Sequence, residues 1–119
     1  MLKEEFAHEY GVGIVAEAAG EILGYVCGSS LFEEAELMRI AVLPDYRGQG
    51  IGGDLVDEFF KSVVALGARR VFLEVRATNE AALGLYRSRG FEKNRLRKRY
   101  YADGEDALEM KKELYPDED

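Results

Sequence analysis

A glycine-rich stretch that runs into a helix-like pattern is the feature that most limits how this chain can fold. Residues 47–53 read Arg-Gly-Gln-Gly-Ile-Gly-Gly, and glycines lack the Cβ atoms that keep a ligand away from backbone N–H groups. Apolar residues then recur at helical spacing as far as residue 64. Because a helix N-terminus carries unpaired N–H donors and the positive end of a dipole, the stretch predicts a phosphate-binding loop, to which Arg47 adds positive charge.

Two phosphate-binding patterns match these residues. Gly48, Gly50 and Gly53 fit G-x-G-x-x-G, the dinucleotide-binding fingerprint, and Glu74 lies at about the distance of a ribose-binding acid. That fingerprint follows directly on the first strand of a βαβ unit, whereas three strand-like segments precede the glycines here, and Glu74 lies inside an apolar run. The pattern R-x-x-G-x-G, which begins at Arg47, is therefore favoured.

The periodicity of the remaining chain predicts one mixed α/β domain over residues 1–119. A short helical segment is expected over residues 2–10, ended by Gly11, and a helix of nine residues follows the fourth strand. Its Gly84 costs about 1 kcal/mol relative to alanine, so we expect a ligand or a strand to approach it closely. The predicted strands are 12–18, 22–32, 36–42, 70–76, 91–101 and 106–112, and the predicted helices after the first are 51–66 and 80–88.

The order of these elements predicts a mixed central sheet flanked by helices. Only the strands on either side of the helix that follows the glycine loop need be parallel neighbours. If those two strands splay apart, the gap between them would admit a narrow, extended ligand.

Composition narrows the classes of partner. The net charge is −7 in 119 residues, which argues against general nucleic-acid binding and suits a cationic acceptor. The exception is a basic run of Lys93, Arg95, Arg97, Lys98 and Arg99, which we interpret as a solvated strand face, a contact to coenzyme phosphate or a neighbour of ribosomal RNA. No segment is long enough to span a membrane, and one cysteine with one histidine argues against a metal site; a cytoplasmic protein is the simplest expectation.

Four separated motifs in the same order make the chain similar to a known superfamily. It resembles the Gcn5-related N-acetyltransferases, and within them the ribosomal-protein-alanine (RimI-like) and archaeal-type protein N-terminal acetyltransferases. The motifs cover about residues 12–114 and are Ile40-Ala-Val-Leu-Pro-Asp-Tyr-Arg-Gly-Gln-Gly-Ile-Gly52, Leu73-Glu-Val-Arg-Ala-Thr-Asn-Glu-Ala-Ala82, Leu85-Tyr86 with Gly90-Phe91, and Tyr100-Tyr-Ala-Asp-Gly-Glu-Asp-Ala107.

The resemblance implies an acetyl-coenzyme A acyltransferase fold and a set of site residues. Glu74 and Tyr86 match the proposed general base and general acid, facing one cleft from opposite sides, and Tyr100 and Tyr101 match tyrosines that line the acceptor peptide. The implied coenzyme-binding residues are Ile40, Ala41 and Val42 for the pantetheine arm, Arg47, Gly48, Gln49, Gly50, Ile51, Gly52 and Gly53 for the pyrophosphate, and Asn79 and Tyr86. Asn79 also suits helix capping, and the two roles can coexist.

The function that the resemblance implies is acetyl transfer to the α-amino group of a protein or peptide. The alternatives are a small-amine acetyltransferase and a coenzyme A-binding module with impaired catalysis. Members of that group usually begin with a strand and a helix before the segment that corresponds to residues 2–10, so we expect the fold to lack both. The uncovered strand edge and apolar groove then predict a homodimer.

Overall fold

Seven strands and two helices make up the part of the chain that the computed structural model describes, residues 2–7 and 11–114. A single 3₁₀ turn, Pro44–Tyr46, leads into the glycine loop. In chain order the elements are β1 (Leu2–Ala7), β2 (Val12–Ala18), β3 (Glu21–Leu31), β4 (Glu34–Val42), α1 (Ile51–Ala65), β5 (Arg70–Arg76), α2 (Glu80–Ser88), β6 (Glu92–Arg97) and β7 (Ala107–Glu113).

The prediction of a helix over residues 2–10 is wrong as far as that segment is described. Leu2–Ala7 is a strand that pairs antiparallel with β2, from Leu2 opposite Ala16 to Ala7 opposite Val12. A helix of nine residues is marginal on its own, whereas the edge of β2 supplies a hydrogen-bonding partner for a strand. Residues 8–10 and the acidic tail 115–119 lie outside the described residues.

The predicted mixed sheet is confirmed. Its strand order is β1-β2-β3-β4-β5-β7-β6, and every pair is antiparallel except β4 with β5. That parallel ladder is short, because it runs only from Glu34 opposite Arg70 to Glu36 opposite Phe72. Beyond that point the two strands separate, so the expected gap is present between the ends of β4 and β5.

Both helices pack on one face of the sheet. In β5 the alternate residues Val71, Leu73 and Val75 are buried in the core that also contains Phe59 of α1 and Leu83 of α2. The residues between them point to the opposite face. Neither helix of the described ranges is long and apolar enough to cross a membrane.

Gly28 and Gly84 differ in how much space surrounds them. A Cβ on Gly28 of β3 would lie 2.0 Å from the Glu36 carbonyl oxygen and 2.8 Å from the Phe59 ring, so glycine there allows α1 to pack closely on the sheet. A Cβ on Gly84 of α2 would meet no described atom within 4 Å. The expected close approach of a strand to Gly84 is therefore wrong.

Candidate active site

The glycine loop forms the start of α1 as predicted. Gly48 and Gly50 have φ values of 81° and 86°, in the left-handed region that glycine adopts without a steric penalty. Gly50 is the N-cap of α1 and provides no side-chain hydrogen bond to the first turn. The first N–H groups of α1 are therefore available to an anion.

This loop lines a cleft of 510 Å³, which we call the glycine-loop cleft. Its opposite wall is the end of β4, whose edge toward β5 carries no ladder partner beyond Glu36. Of the coenzyme-binding residues expected from the sequence, the cleft is lined by Ile40, Ala41, Val42, Arg47, Gly48, Gly50, Ile51, Gly52, Gly53, Asn79 and Tyr86. Gln49 does not line it, and Tyr46, Ala81, Ala82 and Leu85, which sequence reasoning missed, do.

Two polar side chains of this cleft are held by backbone contacts. Arg47 donates from Nε to the carbonyl oxygen of Val42 at 2.9 Å, which ties the loop to the end of β4. Asn79 is the N-cap of α2, and its side-chain oxygen accepts from the N–H of Ala82 at 3.1 Å. Asn79 therefore caps a helix and lines the cleft at the same time.

Tyr86 lies in the last turn of α2 and is 7% exposed. Its ring packs edge-on against Phe91, with 5.7 Å between the ring centroids. Burial raises the pKa of the Tyr86 hydroxyl, because the charged phenolate would lose its hydration. Tyr86 therefore stays protonated at neutral pH and can donate a proton.

A second cleft, which we call the carboxylate cleft, has a volume of 420 Å³ and lies where β3, β4, β5, β6 and β7 come together. Glu74, Glu109 and Arg97 are among its lining residues, together with Ser29, Leu31, Glu34, Ala35, Glu36, Phe72 and Leu73. Glu74 of β5 lies directly opposite Glu109 of β7 in the antiparallel register. Arg97 approaches both, with Nε 2.8 Å from Glu74 Oε2 and Nη2 3.6 Å from Glu109 Oε2.

The geometry of the Arg97 contact is unusual. The 2.8 Å separation from Glu74 is that of a close ion pair, yet Nε is shielded from solvent and makes no well-aligned hydrogen bond. Coulomb attraction depends on distance, whereas a hydrogen bond also requires alignment. Arg97 is held to Glu74 mainly by charge.

Glu74 and Tyr86 do not line the same cleft. Glu74 lines the carboxylate cleft and Tyr86 the glycine-loop cleft. Glu74 alternates with the buried Leu73 and Val75 and therefore points to the face without helices. The arrangement expected from the sequence, with one cleft between the two side chains, is replaced by two clefts that flank the gap between β4 and β5.

The two tyrosines after β6 form an aromatic pair beside Glu74. The rings of Tyr100 and Tyr101 meet edge-on at 5.1 Å, and the Arg76 guanidinium lies 4.1 Å from the Tyr101 ring centroid. A hydrogen bond from the Tyr100 hydroxyl to Glu74 raises the pKa of Tyr100, because ionisation would break that bond and place two negative charges together. Neither tyrosine lines the carboxylate cleft itself.

The basic run 93–99 lies away from the glycine-loop cleft, none of whose lining residues belongs to it. Arg95 Nε instead lies 3.4 Å from Glu109 Oε1, and Arg97 joins Glu74 and Glu109. The lining of the glycine-loop cleft therefore does not support the interpretation of the basic run as a contact to coenzyme phosphate. The sequence alone did not identify the Arg97 contact, because it depends on how β6 pairs with β7, where Arg95 lies opposite Glu109 and Arg97 lies opposite Ala107.

Comparisons with known proteins agree with this geometry. Residues 2–91 match the acetyltransferase (GNAT) family. One relative is a protein of Bacillus subtilis (strain 168) that is named as a candidate [ribosomal protein bS18]-alanine N-acetyltransferase. It is 42% identical over an alignment of 119 positions, which covers 91% of this chain and 76% of that protein. An N-alpha-acetyltransferase of Sulfolobus acidocaldarius is 38% identical over an alignment of 120 positions. The alignment covers 89% of this chain and 71% of that protein.

Among solved structures, the ribosomal-protein-S18-alanine N-acetyltransferase from Escherichia coli superposes with a TM-score of 0.82 at 34% identity. The superposition covers 90% of this chain and 71% of that one. The sequence and the fold of this chain are therefore both similar to those of acetyltransferases.

Proposed function

Because this chain belongs to the acetyltransferase (GNAT) family, we propose that it transfers an acetyl group from acetyl-coenzyme A to the α-amino group at the N-terminus of a protein or peptide. The observation that carries the proposal is the position of the two clefts on either side of the β4–β5 gap, with the buried tyrosine Tyr86 in one and the carboxylate of Glu74 in the other. The relatives named above supply the type of acceptor.

The glycine-loop cleft suits an extended phosphorylated coenzyme. The open surroundings of Gly48 and Gly50, where an added Cβ would meet no described atom within 4 Å, leave the backbone of the loop accessible to a pyrophosphate. Beyond Glu36, β4 has no β5 ladder partner among the described residues. Apart from the Val42 carbonyl, which accepts from Arg47, backbone groups at Ile40, Ala41 and Val42 that face the gap can pair with the amide groups of a pantetheine arm. Bound there, acetyl-coenzyme A would supply an activated thioester that reacts with amines.

The reaction requires two proton movements that the chain can provide. An amine acceptor arrives as an ammonium ion and must lose a proton before it attacks, and the departing thiolate must gain one. In our proposal Glu74 accepts the first proton and Tyr86 donates the second. The gap between β4 and β5 allows the two residues to act on one acetyl group from opposite faces of the sheet.

A panel of acceptors tests the proposed function. We expect acetyl-coenzyme A-dependent turnover of peptides with a free α-amino group and no turnover of the same peptides with a blocked one. Mass spectrometry of the products locates the acetyl group. Turnover restricted to polyamines or amino-group antibiotics would show a small-amine enzyme instead, and coenzyme binding without any turnover would show a binding module.

Two substitutions test the assigned roles. Glu74→Gln and Tyr86→Phe should each lower kcat by about 10²- to 10⁴-fold, the range of general acid–base contributions, while the dissociation constant for coenzyme A changes little. Glu36→Gln is the matched control for Glu74, because Glu36 lines the same cleft but is exposed. Unchanged turnover in both active-site variants would show that another group or water moves the protons.

The proposal also includes association of two copies of this chain. Three large apolar side chains of β3, β4 and the turn between them are exposed, namely Leu31 at 48%, Phe32 at 84% and Met38 at 61%. Exposed apolar surface of this kind is typical of protein interfaces. A second copy of the chain that covered these residues would give a homodimer, at a surface other than the strand edge and groove expected from the sequence.

A further inference from the structure

Two carboxylates face each other across neighbouring strands in the carboxylate cleft. Glu74 and Glu109 are directly opposite in the β5–β7 register, and their side chains are only 23% and 15% exposed. Like charges in that arrangement destabilise a sheet. A positive charge placed between them offsets that repulsion.

Arg97 supplies that positive charge. Its guanidinium lies 2.8 Å from Glu74 and 3.6 Å from Glu109, and its Cζ lies 5.7 Å from the Tyr100 ring centroid. Glu109 has two further partners. Asn94 Nδ2 donates to Glu109 Oε1 at 2.8 Å, and Arg95 Nε lies 3.4 Å from the same oxygen.

We propose that Arg97 is a specificity-determining residue that occupies the position of the acceptor's ammonium group between Glu74 and Glu109, and that the acceptor binds by displacing it. This inference rests on the proposed function, since Glu74 is the residue to which an acceptor amine would deliver its proton. The cleft then favours a group that carries its own positive charge, as the ammonium of an unblocked α-amino group does.

The geometry of Arg97 makes it displaceable. Its Nε–H does not align with the Glu74 carboxylate, and a guanidinium has donors fixed in one plane, whereas an ammonium can rotate three donors toward its acceptors. Arg97 is the last residue of β6, and 33% of its side chain is exposed. The side chain can therefore swing toward solvent while Asn94 and Arg95 continue to hold Glu109.

A competitor for the acceptor site lowers apparent acceptor affinity, so its removal should raise that affinity. Arg97→Gln should lower KM for an unblocked peptide by about two- to fivefold, within the range that corresponds to a partly exposed ion pair. The value of kcat and the dissociation constant for coenzyme A should change less. Arg97→Lys keeps the positive charge and should return KM toward the wild-type value.

Arg95→Gln is the matched control, because Arg95 lies on the same strand, contacts Glu109 but not Glu74, and carries the same charge. It should leave KM near the wild-type value. A higher KM in Arg97→Gln would show that Arg97 binds the acceptor directly, and an equal fall in KM in both variants would show a general effect of net charge. Either result would overturn the proposal.

A small cation provides a readout that does not need turnover. In Arg97→Ala, ethylguanidinium should fill the vacated position, raise the melting temperature and inhibit competitively against the peptide, whereas the wild-type protein should show neither effect at the same concentration. Loss of peptide turnover in the wild-type protein would refute the proposed function alone. Absence of any specific effect of ethylguanidinium on a folded Arg97→Ala protein would refute the role of Arg97.

Discussion

Gly50 shows how much one residue can decide in the glycine loop. It has a positive φ at the N-cap of α1 and open space where a side chain would lie. In Gly50→Glu a side chain would be forced into an unfavourable backbone conformation and would place a negative charge beside the proposed pyrophosphate site. We expect the thermal stabilisation by acetyl-coenzyme A, which follows from mass action, to disappear.

Gly104→Glu is the matched control for this prediction. Gly104 has a φ of 87° and equally open surroundings, but it lies in the β6–β7 turn and not in the glycine-loop cleft. That variant should keep the thermal shift with acetyl-coenzyme A. Stabilisation by NAD rather than acetyl-coenzyme A in the wild-type protein would instead favour the dinucleotide pattern.

Most of the residues that line the glycine-loop cleft were expected from the sequence, because the glycine loop follows from local chemistry and the family resemblance supplied those at the end of β4, at the start of α2 and within it. Sequence reasoning did not exclude Gln49, since which loop side chains turn inward depends on backbone torsions that the motif leaves open. It also missed the role of Arg97. That contact depends on the register of β6 with β7, and the bulge between Lys93 and Arg95 shifts this register.

At the scale of helices and strands, two glycines give opposite predictions. Gly84 is exposed in the middle of α2 with no neighbour at its Cβ position, so Gly84→Ala should raise the free energy of unfolding by about 0.5–1 kcal/mol. Gly28→Ala should lower it, because the new methyl group would overlap the Glu36 carbonyl and the Phe59 ring.

Urea denaturation of both variants measures these changes, each against the wild-type protein. The coenzyme should be absent, so that a ligand beside α2 does not enter the comparison. A destabilised Gly84→Ala would show that α2 has a close neighbour that the structure does not describe.

The β6–β7 loop carries a pH-dependent contribution to stability. Arg76 Nη1 lies 3.0 Å from Asp103 Oδ2 and 2.6 Å from Glu105 Oε1. The pKa of Asp103 is lowered mainly because the Glu105 N–H donates to it, with further help from Arg76. The pKa of Glu105 is lowered mainly by hydrogen bonds from Thr78 and Arg76. Both carboxyl groups therefore favour the folded state when they are ionised.

The sign of the pH effect follows from those lowered pKa values. Stability from a lowered pKa is fully present above the unfolded values, which are near 4, and is lost as the pH falls through the folded values. The difference in unfolding free energy between wild type and Arg76→Gln should thus be largest near pH 7 and shrink below about pH 4. Lys98→Gln is the control. A difference that persists in acid would show that Arg76 acts mainly by packing on Tyr101.

The order of strands and helices along the chain from residue 12 onward and the start of α1 needed only local patterns, and both are confirmed. The segment at residues 2–7 was predicted wrongly because its conformation is decided by pairing with β2, a tertiary contact that overrides weak helical periodicity. The end of β6 also differs. The strand stops at Arg97 rather than Tyr101, since Arg99 adopts a positive φ and its N–H donates to Asp106.

At the scale of the whole molecule, the exposed turn between β3 and β4 tests association. Phe32 combines 84% exposure with a φ of 55°, a conformation that asparagine tolerates better than phenylalanine. Phe32→Asn should therefore keep or raise the stability of the fold while it removes apolar surface. Light scattering over a concentration series should show a dimer for the wild type and a shift toward monomer for the variant; a wild-type monomer at all concentrations would contradict the proposal.

The short β4–β5 ladder also divides the sheet into two antiparallel units. One contains β1, β2, β3 and β4, the other contains β5, β7 and β6, and the ladder that joins them has three opposed residue pairs. A ligand that pairs with β4 in the gap would act as a temporary strand between them. Backbone amides of residues 38–42 that point into the gap should exchange hydrogen for deuterium rapidly in the free protein. Their protection on coenzyme binding would extend to both halves of the sheet, so that the substrate itself completes the cooperative unit.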